Sequence, residues 1–347
     1  MSEVATPVPA ASAASGAGRY AAVSAGLLAV LCLVAFAALF VGYAPIAAGD
    51  VVDGLFGAGD PRIAVIVQEI RLPRILLAAM IGAANGLAGA ALQGLLRNPL
   101  ADPGVIGVTA SAALGAVISL YFGISAIWPL AQPLAAMAGA TLATLVLYVL
   151  AARNATTLTV ILAGVAISGF AVALTSLAMN LSPNPFALAE LVDWLLGSVA
   201  DRSFADVGLV APFMAVGALL LFASGRGLDA LILGEEAARS LGIGLRTLRI
   251  QIIAGTALAV AAGVAVAGGI GFVGLVCPHL VRPLVRHQPS RVLLPSALAG
   301  AVLLVAADLL IRLLPMDRDL MLGVVTSLVG APFFFWLILR TGRGAPL

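Results

Sequence analysis

The chain has 347 residues, of which 62% are hydrophobic and 10% are charged, and its mean hydropathy is +1.14. Soluble domains contain about 45–50% apolar and about 25% charged residues, so this composition excludes a soluble protein and indicates an integral membrane protein. The net charge of +2 is too small to indicate a nucleic-acid partner. All 18 basic residues are arginines, and the absence of lysine excludes a P-loop, whose lysine contacts the phosphates. If ATP drives this protein, another chain must bind the nucleotide.

Residues 1–19 are rich in Ala, Ser and Pro, and we interpret them as a disordered tail. The apolar run over 20–43 is too long for a signal-peptide core and long enough to span a bilayer. Nine more apolar runs follow, over 73–95, 105–124, 128–151, 158–180, 207–224, 248–268, 270–285, 291–313 and 321–339. The sequence therefore predicts an all-α polytopic membrane protein with about ten transmembrane helices over 20–340 and a C-terminal tail over 341–347.

Ten spans place both termini on the same side of the membrane. With the termini in the cytoplasm, 12 of the 18 arginines lie in inner loops and tails. The positive-inside rule therefore predicts cytoplasmic termini.

Glycines carry two further signals in the spans. Gly82, Gly86 and Gly89 follow the small-xxx-small spacing that lets helices approach closely. The run GIGFVG at 269–274 matches G-x-G-x-x-G, but apolar spans flank it and no acid follows at the required distance. We reject a dinucleotide site there and predict a glycine-mediated break between two spans. Cys277 and His279 are too few to form a zinc site, so no metal, catalytic or cofactor residue is predicted.

Two groups of polar residues permit alternative interpretations. The loop over 95–104, LLRNPLADPG, is either a rigid connector or a gate that lines a cavity. Arg71, Arg74 and Arg312, at the predicted outer ends of spans, are either interfacial anchors or a docking surface for an acidic partner.

The segment LGEEAARSLG, over 233–242, belongs to a stretch with seven charges between Arg226 and Arg249. Glu235 and Glu236 fall in the first turn of a predicted helix, and Gly242 suits its C-terminal cap. Such a helix is too short to be stable alone in water, so it must pack on something. Its own spans, the membrane surface and a cytoplasmic protein are the candidates. The two leading acids favour the protein.

Four long motifs in order resemble the FecCD family of ABC-importer permeases, which carry iron–siderophore complexes, haem and cobalamin. The resemblance covers about 45–340, and its motifs are RLPRILLAAMIGAANGLAGAALQGLLRNPLADPGVIGV at 71–108, LGEEAARSLGI at 233–243, GGIGFVGLVCPHLVR at 268–282 and GVVTSLVGAPFFFWLIL at 323–339.

The resemblance implies the permease subunit of a bacterial inner-membrane importer that takes up an iron–siderophore or related chelate. It implies a second permease copy, with a homodimer favoured, two cytoplasmic ATPases that bind ATP and Mg, and a periplasmic or lipid-anchored binding protein. It implies no enzyme activity in this chain.

The family also implies roles for particular residues. Arg71, Arg74 and Arg312 would meet carboxylates of the binding protein. The cytoplasmic gate would contain Asn98, Leu100, Thr156 and Thr157. The coupling helix that contacts the ATPase would comprise Leu233, Gly234, Glu235, Glu236, Ala237, Ala238, Arg239, Ser240, Leu241 and Gly242.

One departure from the family pattern precedes the last span, where Met321 occupies the position of a usual proline. Two other classes remain as alternatives. An ion-coupled secondary transporter would need ionisable residues deep in the spans, and Asp308 is the only candidate carboxylate. An intramembrane metalloenzyme that used Cys277 and His279 would lack further ligands and a base.

Overall fold

The computed structural model describes residues 10–42, 44–128, 130–152, 157–181, 185–314 and 320–341. Throughout these ranges the regular structure is helical. The helices are α1 (Ala10–Phe40), α2 (Ala48–Leu55), α3 (Pro61–Val65), α4 (Leu72–Leu96), α5 (Val108–Tyr121), α6 (Ile124–Ile127), α7 (Ala131–Ala152), α8 (Thr157–Asn180), α9 (Pro185–Leu196), α10 (Phe204–Ala223), α11 (Gly225–Leu231), α12 (Glu235–Ser240), α13 (Leu245–Ala267), α14 (Val273–Val281), α15 (Pro289–Leu313) and α16 (Leu322–Thr341). A π-helix (Ile66–Arg71) leads into α4, and 3-10 helices (Pro103–Ile106 and Arg282–Val285) precede α5 and follow α14.

The helices correspond to the predicted spans in order. Seven helical segments in the described part of the chain are long and apolar enough to cross a membrane. Three shorter apolar helices, Val108–Tyr121, Val273–Val285 and Leu322–Trp336, occupy the positions of the remaining predicted spans. The prediction of an all-α polytopic membrane protein is therefore confirmed.

The structure contradicts one predicted boundary, at the start of the first span, and confirms another, between the seventh and eighth spans. The helix α1 begins at Ala10, so residues 10–19, assigned to a disordered tail, are helical up to the edge of the described region. The Ala-rich composition that suggested low complexity also has the highest helix propensity. The predicted break between the seventh and eighth spans is confirmed, since α13 ends at Ala267 and α14 begins at Val273. Gly268 and Phe272 have left-handed φ angles of 70° and 66° there.

The centre of the bundle consists of α4 and α13. In each, 78% of the most apolar window is buried within the chain, against 11% for α1 and 22% for α7 and α8. The peripheral helices expose large apolar side chains, as helices that face lipid or another subunit do. We call the end of the bundle that carries α12 the α12 side, and the opposite end, where α9 lies, the α9 side.

The helix α4 packs against α15 and α14 at backbone distance. A Cβ atom added to Gly82 would clash with the carbonyl group of Gly300, and one added to Gly86 would clash with that of Ser296. A Cβ atom on Gly89 would clash with the carbonyl group of Gly274 in α14. The predicted role of this glycine series in close packing is therefore confirmed.

The backbone contact predicts that Gly86→Val destabilises the fold severely. A valine side chain would force α4 and α15 apart, and overpacking of a tight core costs typically about 1–3 kcal/mol or more. Thermal unfolding of the purified protein in detergent measures the effect. Gly26→Val in α1 is the matched control, because a Cβ atom there meets nothing within 4 Å. Equal melting temperatures for the two variants would contradict the packing argument.

Candidate functional site

The segment over 233–242 forms the predicted short helix, and an internal ion pair fixes its position. Gly234 precedes α12 with a φ of +100°, a conformation that favours glycine. An Oε atom of Glu235 lies 2.9 Å from a guanidinium nitrogen of Arg249 in α13. Arg239 lies farther from the same carboxylate, at 3.6 Å. Glu235 therefore attaches α12 to its own bundle.

The outward face of α12 is mixed in character. Ala238 lies on the inward face of α12 and is fully buried. Exposed residues of the segment are Glu236, Arg239, Ser240 and Gly242. Leu233 and Leu241 flank the helix with exposed fractions of 67% and 63%. We call Leu233, Glu236, Arg239 and Leu241 the coupling face. The predicted contact of this face with a partner stays a prediction.

The predicted gate loop begins where α4 ends on the α12 side. Arg97 ends α4 with a left-handed φ of 45°. The side-chain oxygen of Asn98 accepts a hydrogen bond from the backbone N–H of Leu100 at 2.9 Å. The carboxylate of Asp102 accepts one from Gly104 N–H at 2.9 Å and so caps the following 3-10 turn. Burial raises the pKa of Asp102, while the Gly104 hydrogen bond opposes that rise.

Gln93 attaches this loop to α14. Its side-chain nitrogen donates to the carbonyl oxygens of Ala101 at 3.4 Å, Gly274 at 3.3 Å and Leu275 at 3.3 Å. Its side-chain oxygen accepts from Arg282 at 2.7 Å. Asn98 and Leu100 therefore belong to a turn that hydrogen bonds hold against α14. Thr157 is the first residue of α8, and Thr156 lies outside the described residues.

The predicted docking arginines lie on the α9 side, where two of them bind the end of α1. Arg71 donates to Leu39 O at 2.6 Å and to Ala44 O at 2.9 Å. Arg312 donates to Ala38 O at 2.9 Å and to Val41 O at 2.8 Å. The last carbonyls of a helix lack intrahelical partners and carry partial negative charge, so these guanidinium groups cap α1 from other helices.

Asp308 of α15 holds the arginines together. Its carboxylate lies 2.9 Å from Arg74 and 3.1 Å from Arg312, and Asp308 itself is 1% exposed. Arg71 ends the π-helical turn and Arg74 lies in the first turn of α4, so both lie at this end of α4. We call Arg71, Arg74, Asp308 and Arg312 the arginine cluster.

The arginine cluster is built into the fold. Arg71 and Arg312 are only 4% and 8% exposed, so their guanidinium groups are not displayed as a docking surface would require. Direct contact of these residues with a binding protein stays a prediction. What the structure adds is a role inside the chain, as a cap for α1.

Two recesses lie near α9, a helix that the sequence analysis did not predict. One, of about 510 Å³, lies between α9 and α16 and includes Leu196, Gly323 and Ser327 in its lining. The other, of about 600 Å³, includes Asp193, Trp194, Arg202 and Met321. The carbonyl oxygen of Met321 accepts from Val324 N–H at 3.0 Å, so the first turn of α16 forms without the usual proline.

Comparison with known families identifies the chain. The model of the FecCD transport family matches residues 28–340. The chain belongs to the FecCD transport family. The FecCD match includes the glycine series, the loop after α4, α12 and the arginine cluster.

Individual relatives agree with the FecCD assignment. The uncharacterized ABC transporter permease protein YvrB of Bacillus subtilis is 42% identical over 84% of this chain and 83% of its own. The vitamin B12 import system permease protein BtuC of Vibrio cholerae is 46% identical over 79% and 83%. A solved structure, an inward-facing transporter assigned to the metal-chelate type of ABC transporter, is 30% identical with a TM-score of 0.82, covering 91% of this chain and 98% of that one.

Membership makes this FecCD chain a multi-pass permease subunit of an ABC importer, in which a separate subunit hydrolyses ATP. The two alternative classes, an ion-coupled secondary transporter and an intramembrane metalloenzyme, are therefore wrong. Asp308 illustrates the physical reason. It is paired with two arginines inside the fold and serves structure.

Several contacts escaped the sequence analysis. The ion pair between Glu235 and Arg249 has a separation of 14 residues, and that between Arg74 and Asp308 has one of 234. Neither follows a helical spacing. The helix α9 does show a local signal, since the run PFALAELVDWLL has apolar residues at helical intervals.

The arginine cluster predicts that Asp308→Ala unfolds the α9 side. Removal of one partner of a buried ion pair typically costs about 3–5 kcal/mol because it leaves unpaired charge. Thermal unfolding in detergent, with protease accessibility after α1, measures the loss. Arg62→Ala is the control, because Arg62 is exposed on α3. A melting temperature unchanged by Asp308→Ala would contradict the structural role of the cluster.

Proposed function

We propose that this chain is the permease of a bacterial importer for a corrinoid of the cobalamin class, and that its coupling face contacts the ATPase. The assembly would contain two copies of this chain, two ATPase subunits that bind ATP and Mg, and a periplasmic or lipid-anchored binding protein. The complex would lie in the inner membrane with both termini in the cytoplasm, as the distribution of arginines favours.

The coupling face supports the ATPase contact. Leu233 and Leu241 are exposed at the two ends of α12, with Glu236 and Arg239 between them. Two leucines with charges between them suit a groove with an apolar floor and a polar rim. Glu235 has a different role, because its carboxylate already binds Arg249 inside the chain. Nucleotide-dependent movement of the ATPase would shift α12 and bias the bundle between two states.

We expect Leu233→Asp with Leu241→Asp to weaken ATPase association by at least about tenfold. Burial of a leucine side chain contributes about 1.5–3 kcal/mol, and each 1.4 kcal/mol corresponds to a factor of ten. Co-purification of the ATPase with the tagged permease measures association. The control is Phe56→Asp, which places an acid at an 81% exposed apolar residue on the α9 side. Normal ATPase recovery with the double variant would refute the coupling face.

Two exposed apolar faces are candidates for the contact with the second permease copy. Leu162 and Phe170 of α8 are 60% and 67% exposed, and Leu328 and Phe335 of α16 are 68% and 64% exposed. Within the described residues α16 touches only a few elements of its own chain, chiefly α14 and α15. A substrate path between two copies would then be lined by α16 and the recess beside α9. Asn98, Leu100 and the start of α8 would form its cytoplasmic gate.

The choice of substrate depends on one observation. The chain is 46% identical to a vitamin B12 import permease of Vibrio cholerae over 79% of its length. A second candidate is an iron–siderophore or another metal chelate such as haem, because the solved relative is assigned to the metal-chelate type.

Uptake of labelled substrate distinguishes the two candidates. The permease is expressed with its cognate ATPase and binding protein in cells that lack their own importers for both substrates. We expect accumulation of radiolabelled cobalamin, and none with Leu233→Asp plus Leu241→Asp. Accumulation of a ferric siderophore or haem without cobalamin would select the second candidate. If a complex that hydrolyses ATP took up none of these compounds, both candidate substrates would be wrong.

A further inference from the structure

Asp229 of α11 binds the first residues of α15 with both carboxylate oxygens. One oxygen accepts from the backbone N–H of Ser290 at 2.9 Å. The other accepts from the Ser290 hydroxyl at 2.6 Å and from the Gln288 side-chain nitrogen at 2.8 Å. Hydrogen bonds to a charged acceptor are roughly twice as strong as neutral ones. Three of them therefore join α11 to the start of α15 through pairs that are 59 and 61 residues apart in the chain.

Asp229 caps the N-terminus of α15, which has no capping side chain of its own. Gln288 occupies the N-cap position, and its side chain makes no capping hydrogen bond. The free N–H groups and partial positive charge of a helix N-terminus favour a carboxylate. A local aspartate or serine would provide the same cap within the chain. Because the carboxylate comes from α11, the cap also links two elements.

Packing around α11 leaves little room for independent movement. A Cβ atom added to Gly225 would lie 3.1 Å from the Ser290 Cβ atom. Leu228 of α11 packs against the end of α4, where a Cβ atom added to Gly94 would lie 3.1 Å from a Leu228 Cδ atom. The helix α11 is therefore held between α4 and α15, and it leads directly into α12.

The helix α15 reaches from this contact to the α9 side. It runs over Pro289–Leu313, packs against α4 through Ser296 and Gly300, and carries Asp308 and Arg312 at its other end. Two charged contacts thus connect the α11–α12 unit to the bundle. Glu235 binds α13, and Asp229 binds α15. The second contact leads to the arginine cluster and the end of α1.

We propose that Asp229 is a positioning residue through which displacement of the α11–α12 unit moves α15, so that ATP hydrolysis on the α12 side reaches the α9 side. This inference rests on the proposed function, because it requires α12 to be moved by the ATPase. Asp229 acts through Ser290 and Gln288. In this proposal neither the ATPase nor the substrate needs to touch Asp229 itself.

Asp229→Ala should uncouple transport from ATP hydrolysis. In proteoliposomes that contain the full complex, we expect normal ATPase association and persistent hydrolysis, but roughly tenfold less substrate transported per ATP, within the usual range of coupling effects. Radiolabelled cobalamin and released phosphate are the two readouts. The control is Asp206→Ala, which removes a capping carboxylate that Ser203 contacts on the α9 side of α10. An equal loss of substrate transported per ATP in both variants would mean that Asp229 only stabilises the fold as a helix cap. That result would overturn the proposal.

A covalent replacement of the contact gives a second test that does not depend on the stability of the alanine variant. Asp229→Cys and Ser290→Cys are combined with Cys32→Ala and Cys277→Ala, which remove the native thiols. Oxidation would join the two introduced thiols across a contact that is now hydrogen-bonded at 2.6 Å. We expect transport per ATP to be low after reduction and to recover on oxidation. A cross-linked protein that stays uncoupled, or reduced protein that transports normally, would refute the proposal.

The two proposals fail in different ways. If Leu233→Asp with Leu241→Asp leaves ATPase association intact, the coupling face is wrong and α12 is not the point of entry. If that variant loses the ATPase while Asp229→Ala keeps wild-type transport per ATP, the coupling face stands and Asp229 alone is refuted.

Discussion

The backbone contact between α4 and α15 is the constraint on which the other features depend. Lipid provides no hydrophobic drive between helices, so close association requires small residues that let backbones touch. Gly82, Gly86 and Gly300 provide that contact. With α15 fixed against α4, Asp308 meets Arg74 at one end and Ser290 meets Asp229 at the other. The same pairing positions both the arginine cluster and the connection to α12.

Several charges in this apolar chain join elements that are distant in sequence. Asp308 gathers two arginines, Glu235 reaches Arg249, and Asp229 reaches Ser290. An ion pair inside a membrane protein is costly to break, because the remaining partner would be left unpaired in a poor solvent for charge. Such contacts suit helices that move as units. Glu236, by contrast, is exposed, and Arg239 is exposed with only the longer 3.6 Å contact to Glu235.

The location of the arginines bears on their predicted contact with a binding protein. Arg71 and Arg312 direct their guanidinium groups to the carbonyls that end α1. A binding protein that approached the α9 side would meet a surface whose shape these residues maintain. Variants at these positions would therefore alter stability before they reveal any effect on docking. The recesses beside α9, with Trp194 and Met321 in one lining, lie on the same side.

Composition, apolar run lengths and motifs were sufficient to predict the protein class, the spans and the family. Apolar run lengths predicted ten helices, glycine spacing predicted the face of α4, and the motif at 233–242 predicted a short charged helix. These signals are local, because period and composition act within one segment. Which charges are paired and which are exposed depends instead on how the helices pack. Glu235 and Glu236 are adjacent in the same motif, yet one binds Arg249 and the other is exposed. Arg74, Asp229 and Asp308 likewise have partners set by helix packing, and no spacing along the chain encodes such pairs.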